Sequence, residues 1–331
     1  MTPNRRWPSN GGNLSDPIKD LMAEGNLDKV ADELYEQLRI DSDSPGTHAL
    51  LGALLTSLAR FGEAEGILRE AIDLDPGDAY SYAHLGRTLF ALRRFDEAAD
   101  TIRRAVQLAP DDPAVLGVAG SVLGELGYDD ESVTLDRKAL RLSPKSADLH
   151  VSLAFGLRQL GHFHEAEQAL REALQLNDGD AGAHTNLGEV YLLAGDHDAA
   201  RHSLLRAIEL APQATMKAHV LLGVLQRIRN PKAARDTLQA ALTATDPYQS
   251  AFAASEMRAI ALTTLGNAET AGHLLQGARS QRIPSDTFRK PIYDLLHQPP
   301  LAGVELLLAV WQQIITDDGT AARPFGPPLI S

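Results

Sequence analysis

HLGRTLFALRRFDEAADTIRRAVQLAP, residues 84–110, and NLGEVYLLAGDHDAARHSLLRAIELAP, residues 186–212, are two copies of one pattern. Each opens on a leucine and a glycine, carries two alanines seven positions apart, and closes on a proline. Sliding the chain along itself extends the pattern at a step of 34 residues. Gly52, Gly86, Gly120, Ala154 and Gly188 form one column of small residues, and Ala64, Ala98, Ser132, Ala166, Ala200 and Ala234 form a second. A third runs through Ala71, Ala105, Ala139, Ala173, Ala207 and Ala241, and a fourth through Pro76, Pro110, Pro144, Asp178 and Pro212 marks the end of each copy.

The residue types at these positions have a physical reading. A glycine in one helix and an alanine in the next lack bulk, so the two backbones approach and Leu85, Leu89 and Ile102 interdigitate around them. Ala105 does the same between one repeat and the next. Gly25, Gly127, Gly161, Gly195 and Gly266 fall where first helices should stop, in the left-handed conformation glycine readily takes. Phe61, Phe95 and Phe163 sit at the turn as wedges. The closing prolines cannot continue a helix and make each reversal sharp.

These residues resemble the tetratricopeptide repeat family, whose unit is a pair of antiparallel helices with small residues, an aromatic and a closing proline at fixed offsets. The resemblance implies an all-α, right-handed superhelical solenoid that binds a partner on its surface. A truncated first repeat is expected from residue 16, with full repeats beginning near Pro45, Ala79, Pro113, Ala147 and Ala181 and spanning 45–212. Two degenerate repeats follow to residue 284, the sixth with Gly223 displaced by one and Pro231 opening its second helix. Helices over 285–297 and 300–316 are expected to cap the last apolar face. Segments 1–15 and 317–331, rich in Pro, Gly and polar residues, are expected to be flexible.

Composition narrows the function. Ala and Leu dominate a 44% hydrophobic content and aromatics make up 5%, which favours helices over sheets. A chain of 331 residues is too long for one efficient core unless it is divided or repetitive. The net charge of −13 sets the overall field against nucleic acid and anionic membrane. There is no cysteine, hence no disulfide, thiolate site or Cys nucleophile. Pro8, Asn10, Gly11 and Gly12 stand where a signal peptide needs an apolar core, and 301–315 is too short to span a bilayer. A cytoplasmic protein is expected.

No catalytic constellation stands out. Carboxylates such as Asp111, Asp112, Asp129, Asp130 and Glu131 lie at helix ends, where acids are welcome. There is no phosphate loop after a strand, no Gly-x-Ser-x-Gly elbow and no His-Glu-x-x-His run. His162, His164, His184, His197 and His202 cluster in sequence without metal-ligand spacing, and His184 shares a column with His48 and His150 that suits packing. No enzyme activity, metal or cofactor is expected.

The resemblance implies that first helices line a concave groove, with ligand met by positions not spent on the small-residue columns. Carried onto this chain, it nominates Tyr80, His84, Arg87 and Phe90 in the second repeat and Ser152, Phe155 and Arg158 in the fourth. Asn186 and Glu189 in the fifth complete the set. Aromatics, arginines and amide or hydroxyl groups suit an extended peptide or an amphipathic helix. The carboxylate clamp of chaperone-binding relatives is absent, since Ala49, Ala53, His84, Gly117 and Ser121 occupy its places. The asparagine ladder of protein O-linked N-acetylglucosamine transferase keeps only Asn186, among Leu50, His84, Val118 and Ser152. The expected function is therefore a non-catalytic adaptor or scaffold for a protein partner. The alternatives are self-association through Leu301, Val304, Leu308, Trp311 and Ile315, or a regulatory or metal-binding role for the histidines.

Overall fold

The computed structural model describes residues 26–226 and 230–243, with Arg258 and Ala261 as further single positions. Among these residues every regular element is a helix. In chain order they are α1 (Leu27–Ile40), α2 (Pro45–Ser57), α3 (Phe61–Leu74), α4 (Ala79–Ala91), α5 (Phe95–Leu108), α6 (Pro113–Glu125) and α7 (Asp129–Leu142). There follow α8 (Ala147–Gln159), α9 (Phe163–Leu176), α10 (Ala181–Ala194), α11 (His197–Leu210), α12 (Met216–Gln226) and α13 (Pro231–Thr243). The helices fall into two compact units that divide after Pro144. In the first, α2 pairs with α3, α4 with α5 and α6 with α7; in the second, α8 pairs with α9, α10 with α11 and α12 with α13. The chain is all-α, built by stacking antiparallel helix pairs. The expected start of the first repeat, the seventh repeat, the capping helices and both terminal segments lie outside the described residues.

Each helix boundary has a local cause. First helices start after Ser44, Asp78, Asp112, Ser146 and Asp180, a column of cap residues that keeps the repeat step. The Asp78 carboxylate accepts from the backbone N–H groups of Tyr80 and Ser81 at 3.2 and 3.1 Å. Asp112 does so for Ala114 and Val115 at 2.8 and 3.1 Å, and Asp180 for Gly182 and Ala183 at 2.8 and 3.0 Å. These are the donors that have no partner inside the helix. After the first helix the chain reverses through a left-handed residue. Gly127, Gly161 and Gly195 have φ of 87°, 78° and 84°, but Ala59 and Arg93 hold the same place at 59° and 66°. The turn geometry is thus kept where glycine is not, against the cost a Cβ brings to that conformation.

Inside each pair the small-residue column lies at the helix crossing. A Cβ on Gly188 would lie 2.7 Å from Leu204, one on Gly86 2.5 Å from Ile102 and one on Gly223 2.5 Å from Leu238. Gly52 meets Leu68 in the same way. Gly223, one position off the repeat step, still finds the equivalent partner, so the sixth pair keeps the geometry of the others. Between pairs, Ala105 packs with Ala79, Ala83 and Val115, which joins α5 to α4 and α6.

The third pair breaks this pattern. The side chain against Gly120 is Asp136, 0% exposed, where Leu68, Ile102 and Leu204 fill the same site in other pairs. Ser132, in the alanine column, donates its hydroxyl to the Gly120 carbonyl at 2.7 Å. A polar cluster therefore replaces one aliphatic contact in the seam. Two substitutions should read the seam in urea denaturation followed by circular dichroism. Gly188→Val overpacks the crossing and should lower stability by about 1–3 kcal/mol. Asp136→Leu takes the buried carboxylate away from its polar neighbours and should lower stability too, by about 1–3 kcal/mol. An equally or more stable Asp136→Leu chain would show that the aliphatic contact fills the third pair better than the polar cluster.

Candidate functional site

The face of α4 left over from the seam carries Tyr80, His84, Arg87 and Phe90, spaced so that all four lie on one side of the helix. Asp78 starts the helix and so sets where this face points. The rings of Tyr80 and His84 stack at 4.2 Å with planes tilted by 57°. Burial pushes the Tyr80 hydroxyl well above the usual phenol range, opposed by the charge of Arg87. Tyr80 is therefore a neutral hydrogen-bonding group at physiological pH. His84 is buried and Tyr80 half-buried. Phe90 meets Phe95 edge to face at 5.6 Å and braces the turn between α4 and α5. The hydroxyls of Thr56 and Thr88 meet at 2.7 Å and tie α2 to α4 beneath the same face.

In the second unit the candidate residues join into an ionic ladder. Arg158 Nη1 on α8 lies 3.3 Å from Glu189 Oε1 on α10. The other oxygen of Glu189 accepts from Lys217 Nζ on α12 at 2.6 Å. The three side chains are 10%, 13% and 21% exposed. The Arg158 guanidinium also lies over the Phe155 ring, 5.2 Å from its centre. The repeat pattern nominates Arg158, Phe155 and Glu189 as separate groups facing a ligand; the structure brings them into contact. It adds Lys217, which a search at constant step misses because both links fall short of 34 residues. Ser152 on α8 and Asn186 on α10 are half-buried on these first helices.

Four of the histidines are held by local contacts. His48 and His219 each donate Nδ1–H to a carbonyl four residues earlier, Ser44 and Thr215, at 2.8 Å in both cases. His150 is buried with Nδ1 3.3 Å from Glu172. His184 places Nε2 3.1 Å from the Asp178 carbonyl, and burial pulls its pKa down. His162 and His164 are exposed at the start of α9. Among the described residues no group of three or more His, Asp or Glu side chains converges as a metal site, and no helix is long and apolar enough to cross a membrane.

Comparison with known proteins agrees with this architecture. Tetratricopeptide repeat models match residues 59–121 and 152–215. No curated protein matches the sequence. Among solved structures, the human IFIT1 dimer with m7Gppp-AAAA is 17% identical, with 77% of this chain and 68% of that one covered and a TM-score of 0.59. The Cut9–Hcn1 hetero-tetramer of the APC/C is 18% identical with a TM-score of 0.60, over 82% of this chain and 52% of that one, so this chain spans about half of it. A tetratricopeptide repeat protein of Thermus thermophilus is 23% identical over 60% of this chain and 100% of its own, with a TM-score of 0.46. At such identities the likeness is one of fold.

The ladder generates a test of its own. Because Arg158 and Glu189 are sheltered, Arg158→Glu leaves two carboxylates facing each other and should lower stability by about 3–5 kcal/mol. Adding Glu189→Arg reverses the pair and should restore part of the loss in urea denaturation. Additive losses in the double variant would show that the two groups are not coupled.

Proposed function

The chain belongs to the tetratricopeptide repeat family, and from that premise we propose that it is a non-catalytic adaptor that holds a protein partner, as an extended peptide or a helix, against its first-helix faces. One observation carries the reading. The α4 face carries a half-buried aromatic, Tyr80, and a half-buried cation, Arg87, at positions that the helix-crossing seam does not use, in a chain whose net charge is −13. Large aromatics and arginine are the residues that most often anchor a partner, because they bury much area with few rotatable bonds. The acidic balance favours a protein partner over nucleic acid or a membrane surface. The packing roles of the buried histidines and the capping role of Asp78, Asp112 and Asp180 assign structural work to residues that would otherwise suggest chemistry.

The test places a photo-activatable cross-linking residue at one position at a time and recovers adducts from the native host. Positions 87, 152 and 186, on first helices, should give protein adducts, whereas the exposed second-helix positions 104 and 168 should not. Adducts from 104 and 168 alone would move the binding surface to the second helices and overturn the assignment.

A further inference from the structure

We propose that Asp178–Gly179 is a site of self-modification, at which the chain converts an aspartyl linkage into an isoaspartyl one with His184 as the hydrogen-bond donor that promotes it. This chemistry is independent of where a partner binds. The closing column of the repeats holds Pro76, Pro110, Pro144 and Pro212, but Asp178 in the fourth repeat, and there a glycine follows. Among the described residues no other aspartate precedes a glycine. Both residues are exposed in the turn between α9 and α10. Gly179 has no side chain to hinder attack by its own nitrogen, and a Cβ placed there would meet only the Asn177 side chain, at 3.6 Å. His184 Nε2 lies 3.1 Å from the Asp178 carbonyl oxygen. A carbonyl only accepts, so Nε2 carries the proton. Burial lowers the pKa of His184, so the donor is a neutral imidazole at physiological pH.

The oxygen that His184 holds belongs to the amide that reacts. In the first step the Gly179 nitrogen bonds to the Asp178 γ-carbon. Its proton and the γ-hydroxyl of the protonated carboxyl leave as one water, which closes a succinimide ring. The nitrogen becomes nucleophilic as it loses its proton, and the charge of that anion rests largely on the Asp178 carbonyl oxygen. A donor already aimed at this oxygen stabilises the charge where it develops. In the second step water adds to the same carbonyl carbon. The bond from that carbon to the Gly179 nitrogen breaks, and the nitrogen keeps its new bond to the γ-carbon. His184 faces the oxygen that carries the charge of this addition as well, which directs hydrolysis toward isoaspartate over a return to aspartate. The oxygen ends in a free carboxylate, a stronger acceptor for His184 than the amide it replaces. The main chain gains one carbon just before Asp180, whose carboxylate starts α10 by accepting from Gly182 and Ala183. The conversion therefore reaches the start of the helix that carries Asn186 and Glu189.

The experiment ages the full chain at neutral pH, folded or in urea. Asp178 is then followed in the tryptic peptide 172–201 by electron-transfer mass spectrometry, whose fragments distinguish the two linkages at equal mass. Reading that peptide alone keeps Asn10–Gly11 and Asp318–Gly319, which share the chemistry by sequence, out of the result. The folded chain should form isoaspartate at Asp178 about tenfold faster than the chain in urea, a smaller factor than a donor supplies in a buried oxyanion site. His184→Leu removes the donor and installs the residue type that Leu116 supplies at the same place in the third repeat. It should slow the folded chain about tenfold and leave the rate in urea unchanged. Circular dichroism checks that this variant keeps its helices; if it does not, the folded-against-urea comparison on the unaltered chain decides. Isoaspartate that forms no faster in the folded chain than in urea overturns the proposal, and so does an unchanged rate in a folded His184→Leu chain.

Discussion

The stack depends on the close approach of two helix backbones at a point where one of them has no side chain. Gly52, Gly86, Gly188 and Gly223 each leave room for a leucine or isoleucine of the following helix, and a single added methyl group would collide with it. Such a crossing fixes the separation and angle of a pair, because the large side chain acts as a peg in a hole one residue wide. Ala105 carries the same economy of space from the second pair to the third. The ion pairs on the second helices, such as Arg103 with Glu131 at 2.9 Å, decorate this frame. Exposed pairs of that kind each contribute at most about 1 kcal/mol. The face proposed above to meet a partner is what remains once the crossings have taken their residues.

Repetition is what made the fold readable from the sequence. A glycine in one segment proves little, but Gly52, Gly86, Gly120 and Gly188 at equal spacing or its multiple, with alanines trailing at fixed offsets, leave little room for another architecture. Features that depart from the step were harder to see. The left-handed turn was marked by glycine, so Ala59 and Arg93 in the same conformation gave no signal. The cap residues were visible only as acids near helix ends, although Asp78, Asp112 and Asp180 keep the register strictly. Asp136 reads in sequence as one more helical acid, and only its position against Gly120 shows that it fills a leucine's place.

The candidate site was legible in part for the same reason. Columns taken at constant step identify which residues share a face, and they bring Tyr80, Arg87, Arg158 and Glu189 to the first helices. They do not tell which of these touch. Contacts between neighbouring first helices run diagonally, so Arg158 finds Glu189, and Glu189 finds Lys217, at separations shorter than the repeat. Vertical relations within one helix are equally hidden: the contact of the Tyr80 ring with that of His84, one turn further on, follows from side-chain direction. A repeat protein thus displays its scaffold in sequence and conceals its surface chemistry in the offsets.

The seam also bears on how the polypeptide reaches its final form. Gly86 meets Ile102 within one repeat, Ala105 meets Val115 across one turn, and Thr56 meets Thr88 between adjacent repeats. Every such meeting closes a loop of a few tens of residues at most, for which the entropy of closure is modest. A chain wired in this way has no need of a distant segment before it can bury apolar surface. Within each unit a hairpin of helices can therefore assemble on its predecessor while the rest is still being translated, and the order of synthesis becomes the order of construction.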